Sequence, residues 1–245
     1  MNQAKSARRK QRIVFAEGEE PKIIRAAAQV ADEGIGIPIL VGNNKVILEN
    51  IARLGLSYKP QVVDLHGFGR LEEYTQAYYD IRKREGVTLK LAQQRICEPN
   101  VFAPMMVKMG DADAFVSGLT REYPDIIRPS LQIHHTQPGV RLAAGVYIMI
   151  VGDRVYLFTD TTVNIDPSAE DLADIACLAA NFAVMLGLEP RVAMLSFSNF
   201  GSAPHPESQK VRQAVELVKS KRPDLVIDGE MQADTAVVPE IIDER

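Results

Sequence analysis

Short apolar runs of strand length alternate with longer amphipathic stretches along most of the chain. In the first half these runs are Arg12–Ala16, Ile37–Val41, Gln61–Leu65 and Ala114–Val116. The stretches between them carry apolar residues at the spacing of a helix with one buried face. This spacing predicts helices over Pro21–Glu33, Lys45–Leu54, Leu71–Glu85, Thr88–Ile96 and Val101–Met109.

The second half continues the alternation but adds a hairpin. Two apolar runs, Gly145–Val151 and Val155–Asp160, flank Gly152-Asp153, so we expect antiparallel strands to join the parallel ones in the sheet. Ser168-Ala-Glu-Asp171 resembles a capping box for a helix that extends to about Leu186. The remaining predicted elements are strands Val192–Ser196 and Leu225–Asp228 and a helix over Glu207–Ser220. This alternation indicates a doubly wound α/β architecture.

Composition is that of an ordinary globular protein. The chain has 245 residues, 46% hydrophobic and 24% charged, enough for one large α/β domain or two smaller ones. We expect a boundary near Pro138–Leu142, with a first subdomain over 13–139 and a second over 140–245. The net charge of −4 gives no reason to expect a nucleic-acid partner. No apolar run is long enough to span a bilayer.

The N-terminal segment carries a basic cluster, formed by Lys5, Arg8, Arg9, Lys10 and Arg12. No apolar run follows that could serve as a signal-peptide core, so we interpret residues 1–12 as a basic linker. The two cysteines, Cys97 and Cys177, are far apart in predicted helices. We expect them to be reduced, buried side chains of a cytoplasmic protein.

Anion-binding chemistry is indicated within Asp111–Gly139. The strand Ala114–Val116 leads into Ser117-Gly118, where small residues allow a sharp turn and leave room for a ligand. Arg128 follows, and its guanidinium stays charged near neutral pH. A strand, a small-residue turn and an arginine hold phosphate groups at the carboxyl ends of α/β sheets. The same residues also fit an ordinary turn followed by a surface arginine.

Two other strand ends also have polar residues. Phe15-Ala-Glu-Gly18 fits either a tight turn with acidic residues before a helix or part of a site. Leu195-Ser-Phe-Ser-Asn-Phe-Gly-Ser202 follows a buried strand with hydroxyls, an amide and a glycine. Such a segment suits either an anion or the capping of the next helix.

A fourth strand end, Asp228-Gly-Glu-Met-Gln-Ala-Asp234, brings three acidic residues together. A general base is one interpretation, whereas a metal site is not expected because no histidine lies nearby in sequence. His134-His135 is a poor metal site as well, since adjacent side chains point in different directions. The chain has no nucleophile elbow, no Walker A sequence and no Rossmann glycine motif.

Many short segments, in a fixed order along nearly the whole chain, are similar to those of one family. They are Phe15–Gly18, Ile81–Thr88, Val116–Gly118, Arg128–Ile133, Val163-Asn164, Pro167–Glu170, Glu189–Ser196, Asp228-Gly229 and Gln232–Asp234. The chain therefore resembles the phosphate acetyl/butyryltransferase (phosphotransacetylase) family. Members transfer an acetyl group between acetyl phosphate and coenzyme A.

This resemblance implies a three-layer α/β/α fold of the isocitrate/isopropylmalate dehydrogenase type, with two subdomains, a cleft between them and a dimer as the basic unit. It implies a reaction that needs no metal ion. We assign no residue of this chain as catalytic. Arg82 and Arg128 match arginines associated with the coenzyme and phosphate. Together with the strand ends, the resemblance implies acyl-CoA or phosphate contacts from Arg82, Ser117, Gly118, Thr120, Arg128, Ser196, Ser198, Asn199, Gly201, Ser202, Asp228, Gln232 and Asp234.

The chain departs from the family pattern in two respects. Members continue into a C-terminal part with a Ser-Arg pair and an aspartate, so we expect the second subdomain to be truncated. Residues of three motifs also differ from the family pattern. Asp228-Gly-Glu-Met-Gln232 replaces Asp-Gly-Pro-Leu-Gln, Tyr123 replaces a threonine, and Ser198-Asn-Phe-Gly-Ser202 replaces a Ser-Thr-x-Gly pattern. These variants resemble the phosphotransacetylase-like C-terminal domain of large NADP-dependent malic enzymes.

Three hypotheses follow. The first is an acetyl-CoA-binding regulatory domain of an NADP-dependent malic enzyme, with NADP and a divalent metal only in the missing upstream part and no cofactor in this chain. The second is a phosphate acetyltransferase. The third is a ligand-free oligomerisation module, against which Arg82 and Arg128 argue because clustered arginines suit an anionic ligand. The expected partners are acetyl-CoA or a related acyl-CoA and a second copy of the chain.

Overall fold

The structure of the protein is a computed structural model that describes residues 9–242. The chain divides into two compact units, of which the first ends at His135 and the second begins at Thr136. This division falls before the Pro138–Leu142 segment. Residues 1–8 of the predicted linker lie outside the described residues. The first strand begins at Gln11, one residue before the predicted Arg12, so it overlaps the end of the segment interpreted as a linker.

The first unit contains a four-stranded parallel sheet and its helices. The strands are β1 (Gln11–Phe15), β2 (Gly36–Val41), β3 (Gln61–Val63) and β4 (Ala114–Val116), in the spatial order β3-β2-β1-β4. The helices are α1 (Pro21–Asp32), α2 (Asn44–Arg53), α3 (Leu71–Arg82), α4 (Leu89–Arg95), α5 (Pro99–Lys108) and α6 (Tyr123–His134). Short 3-10 turns, Leu65–Gly67 and Lys83–Glu85, replace the predicted ends of β3 and α3. The pattern did not predict α6, because Pro129 lies inside it.

Helices cover both faces of this sheet. Neighbouring residues of one strand point to opposite faces. Val14 accordingly packs in a core with Tyr74 of α3 and Phe102 of α5, whereas Phe15 packs in a second core with Ile24 of α1. The first unit is therefore doubly wound, as the sequence predicted. The helices after β1 and β4 lie on opposite faces, so the crevice between these two strands is the topological switch point.

The second unit contains two separate strand pairs. An antiparallel pair, β5 (Val146–Val151) and β6 (Arg154–Thr159), forms one sheet, and a parallel pair, β7 (Arg191–Leu195) and β8 (Val226–Met231), forms another. The expectation that the hairpin joins the parallel strands is therefore wrong for the described residues. The helices are α7 (Ala169–Met185), α8 (Pro206–Lys221), α9 (Ala233–Val237) and α10 (Pro239–Ile242), of which the last two were not predicted.

The core of the second unit lies between helices α7 and α8 and the β7–β8 pair. Ala173 and Ala176 of α7 face Ala214 and Val218 of α8, and small side chains let these helices approach closely. The predicted capping box at the start of α7 is confirmed: Ser168 Oγ accepts from the Asp171 N–H at 3.2 Å, and Asp171 Oδ2 accepts from the Ser168 N–H at 3.1 Å. No helix between residues 9 and 242 is both long and apolar enough to cross a membrane.

Candidate anion-binding sites

A carboxylate connects the loops that follow β1 and β4. Oε2 of Glu17 accepts hydrogen bonds from the backbone N–H groups of Gly118 (2.8 Å) and Leu119 (2.9 Å). Oε1 accepts from the backbone N–H of Thr120 (2.6 Å) and from its hydroxyl (2.5 Å). Ser117 Oγ lies 3.4 Å from Oε2. The turn predicted to bind an anion thus binds the carboxylate of Glu17.

The strand order explains this contact. Phe15 pairs with Val116 in the parallel strands β1 and β4, so the segments that leave the two strands start side by side. Consecutive backbone N–H groups in a turn form a concave anion site, and the carboxylate of Glu17 lies within reach of it. Burial raises the pKa of Glu17, but the hydrogen bonds from Thr120, Leu119 and Gly118 outweigh burial and lower the pKa to about 2.

The two arginines predicted to bind an anion, Arg82 and Arg128, differ in their surroundings. Arg128, on α6, is exposed and makes no hydrogen bond or ion pair within residues 9–242, and the same holds for Arg121 in the loop before α6. Arg82 is instead buried at the end of α3, where Nη1 pairs with Glu85 and Nε has no partner among the described residues. Arg121 and Arg128 are thus free to bind a ligand anion, whereas a ligand contact for Arg82 stays a prediction.

A second internal carboxylate lies in the second unit. Glu230 is fully buried, and its Oε1 accepts from Ser198 Oγ (3.1 Å) and from the Gly201 N–H (2.7 Å). Arg212 of α8 donates to both oxygens, from Nη2 to Oε1 (2.9 Å) and from Nε to Oε2 (3.0 Å). The Arg212 hydrogen bond lowers the pKa of Glu230 and, with the Gly201 and Ser198 donors, brings it to about 2 against the opposing effect of burial.

Glu230 reaches this loop because it lies at an irregularity of β8. Met194 of β7 pairs with Gly229 and Leu195 pairs with Met231, so Glu230 is left out of the register. A bulge of this kind redirects a side chain. The strand predicted over Leu225–Asp228 continues to Met231, so the expectation that Gly229–Met231 follow the strand is wrong.

The other predicted contacts in this unit bind mainly one another. Asn199 and Gln232 exchange two hydrogen bonds, from Asn199 Nδ2 to Gln232 Oε1 (2.9 Å) and from the Gln232 N–H to Asn199 Oδ1 (2.8 Å). Ser202 Oγ accepts from the Asn199 N–H at 3.0 Å, and Ser196 Oγ accepts from the Ser198 N–H at 3.3 Å. Ser198 and Asn199 are buried, and a ligand contact for their side chains stays a prediction.

The two remaining acidic residues do not form a cluster with Glu230. Asp228 Oδ1 lies 3.6 Å from Lys219 Nζ, and Asp234 Oδ1 accepts from the Thr235 N–H at 2.8 Å. Within residues 9–242 no group of three His, Cys, Asp or Glu side chains is placed to hold a metal ion. His134 Nε2 lies 3.1 Å from the Pro104 carbonyl oxygen.

The expectation of two buried cysteines is wrong for Cys97, which is exposed, while Cys177 is half-buried.

We expect the protein to lose stability in acid because of these carboxylates. The folded pKa of Glu17 and of Glu230 is about 2, against an ordinary value of 4.5. Asp113, bound to Arg12, also has its pKa lowered to about 2. A carboxylate whose pKa is lower in the folded than in the unfolded protein stabilises the fold. This stabilisation is fully present above the unfolded-state pKa and is lost as the pH falls through the folded-state pKa. The thermal unfolding midpoint should therefore decrease as the pH is lowered from 4.5 to 2. A smaller decrease in Glu230→Gln would assign part of this loss of stability to Glu230.

Comparison with known proteins identifies the family. The family described as "Phosphate acetyl/butaryl transferase" matches residues 1–245. The phosphate acetyltransferase of Thermoanaerobacterium thermosaccharolyticum is 42% identical over 244 residues, which are 97% of this chain and 74% of that protein. The crystal structure of a phosphotransacetylase from Streptococcus pyogenes matches with a TM-score of 0.89 and 36% identity, over 98% of this chain and 74% of that one. The chain belongs to the phosphate acetyl/butyryl transferase family.

A malic enzyme is also among the relatives. The NADP-dependent malic enzyme of Escherichia coli is 38% identical over 239 residues, which are 96% of this chain but 32% of that protein. The match to the Thermoanaerobacterium enzyme is higher in identity and covers far more of the relative. The comparisons thus favour the phosphate acetyltransferase hypothesis over the malic-enzyme hypothesis, which the sequence of Asp228–Gln232 suggested.

Proposed function

We propose that this protein is a phosphate acetyltransferase, which transfers an acetyl group between acetyl phosphate and coenzyme A. The observation that carries the proposal is the 42% identity to a phosphate acetyltransferase over 97% of the chain. Arg121 and Arg128, which follow β4 along the chain, are exposed and have no partner within residues 9–242, and they support it, because an anionic phosphoryl substrate needs fixed cations.

The reaction has simple chemical requirements. The coenzyme A thiolate attacks the acetyl carbonyl, the carbon–oxygen bond to phosphate breaks, and inorganic phosphate leaves while the new thioester forms. Negative charge develops on the carbonyl oxygen and on the leaving phosphate, and a guanidinium that cannot lose its proton stabilises both. In this proposal Arg128 binds the phosphate group, and Glu17, Glu230 and their donors keep the loops of their own units in place.

The test is turnover by the full-length protein. Acetyl phosphate and coenzyme A should give acetyl-CoA and phosphate in equal amounts, and acetyl-CoA with phosphate should give the reverse reaction. Arg128→Ala should lower kcat/KM for acetyl phosphate by about 100-fold, since it removes a charged hydrogen-bond donor from the phosphate. Arg53→Ala is the control, because Arg53 is exposed at the last turn of α2 and bonds to Asn50.

A second candidate is the regulatory domain of a malic enzyme, favoured by the 38% identity to the Escherichia coli protein. Such a domain would bind acetyl-CoA without transferring its acetyl group. Tight acetyl-CoA binding with no turnover in either direction would favour this candidate. A folded protein that neither binds acetyl-CoA nor turns it over would favour an assembly role.

A further inference from the structure

The two ends of α6 are held in different ways. Its C-terminal end is fixed by packing, because Ile133 is fully buried in the core and His134 lies against the Pro104 carbonyl. Its first three residues, 123–125, are exposed. Arg128 therefore lies in the half of the helix that apolar packing holds least.

Two polar contacts fix this N-terminal half. Asn100 Nδ2 donates to the Asp125 carbonyl oxygen at 2.7 Å. The other contact is the set of four hydrogen bonds from Gly118, Leu119 and Thr120 to Glu17, which binds the chain just before α6 begins. Hydrogen bonds to an ionised acceptor are stronger than neutral ones. Glu17 is itself held firmly, because the next residue, Gly18, donates its N–H to Val41 O of β2 at 3.0 Å.

We propose that Glu17 is a positioning residue that sets the path of the chain from β4 into α6 and so places the Arg128 guanidinium for the phosphate group of the substrate. Glu17 does not touch the ligand, and its contacts occupy the N–H groups of the turn, so binding of phosphate depends on the arginine. This inference deepens the proposed function, since the phosphate is that of acetyl phosphate.

A double-mutant cycle tests the proposal, with inorganic phosphate as the probe in calorimetry on the full-length protein. In Glu17→Gln the amide nitrogen would face backbone N–H groups in place of a carboxylate oxygen, and we expect phosphate affinity to fall about tenfold. In the Arg128→Ala background the same change should alter affinity less than about twofold, because the two residues act in one chain of contacts. Glu20→Gln is the matched control, since Glu20 lies at the N-cap of α1 and its side chain caps nothing.

Three results would overturn the proposal. They are equal phosphate affinity in Glu17→Gln and Glu20→Gln, an equal loss of affinity on Glu17→Gln in the unmodified and the Arg128→Ala proteins, or no phosphate binding by the unmodified protein. If Glu17→Gln fails to fold, Thr120→Val removes only the hydroxyl donor and should weaken phosphate binding less, in the same Arg128-dependent way. Phosphate binding that follows this cycle without acetyl transfer would reject the proposed function and leave the role of Glu17 intact.

Discussion

Replacing Glu230 by alanine is expected to lower the free energy of unfolding of the second unit by about 2–3 kcal/mol, because a buried donor left without an acceptor costs about 1–3 kcal/mol. The substitution removes the acceptor of the buried Ser198 hydroxyl and of the Gly201 N–H. Arg212 loses its partner too, but its side chain is 48% exposed and water can solvate it. Urea unfolding followed by far-ultraviolet circular dichroism measures the loss.

Two variants make the Glu230 result specific. Glu230→Gln keeps an oxygen at the position that Ser198, Gly201 and Arg212 Nη2 share but places an amide nitrogen opposite Arg212 Nε, so it should lose about 1–2 kcal/mol, less than Glu230→Ala. Asp228→Ala, on the same strand, removes an exposed carboxylate whose ion pair with Lys219 is long, and its effect should be near zero. Equal stability of the Glu230→Ala and Asp228→Ala proteins would contradict this account of the Ser196–Ser202 loop.

The parallel sheet was predictable because its strands are apolar at successive positions. Val14 and Phe15, and likewise Ile39 and Leu40, are buried on opposite faces, which requires helices on both sides of the sheet. The hairpin was predictable as a local unit from its turn residues. Which strands it would join was not, since strand order depends on contacts that are far apart in sequence.

The anion-binding turns were predictable, but the anions that they bind in this structure were not. Gly118 and Glu17 are 101 residues apart, and they meet only because β1 and β4 are neighbours in the sheet. The sequence leaves two interpretations of Glu17 open, part of a site or an acidic residue before a helix, and the second is common. Glu230 depends on a local register irregularity in β8, next to Gly229. A glycine inside a strand often marks a bulge, but the predicted strand ends at Asp228 and so leaves Gly229 outside it.

Replacing Gly18 by alanine is expected to destabilise the first unit by about 1–3 kcal/mol, the range for overpacking a filled site. A Cβ at this position would lie 2.7 Å from the backbone oxygen and 2.8 Å from the backbone nitrogen of Val41. Val41 cannot move aside, because β2 is paired with β1 on one side and with β3 on the other. The turn that contains Gly18 must therefore shift, and Glu17 shifts with it.

The Gly18 substitution therefore also tests how tightly the fold and the phosphate site are linked. Displacement of Glu17 releases the hydrogen bonds at Gly118–Thr120, so phosphate affinity should fall together with stability. Gly69→Ala is the control, because a Cβ there meets no atom within 4 Å. Urea unfolding and phosphate calorimetry on both variants measure the two effects. If Gly18→Ala were as stable as Gly69→Ala, the close approach to Val41 would not be what fixes Glu17; a loss of stability with unchanged phosphate affinity would separate the turn from the site.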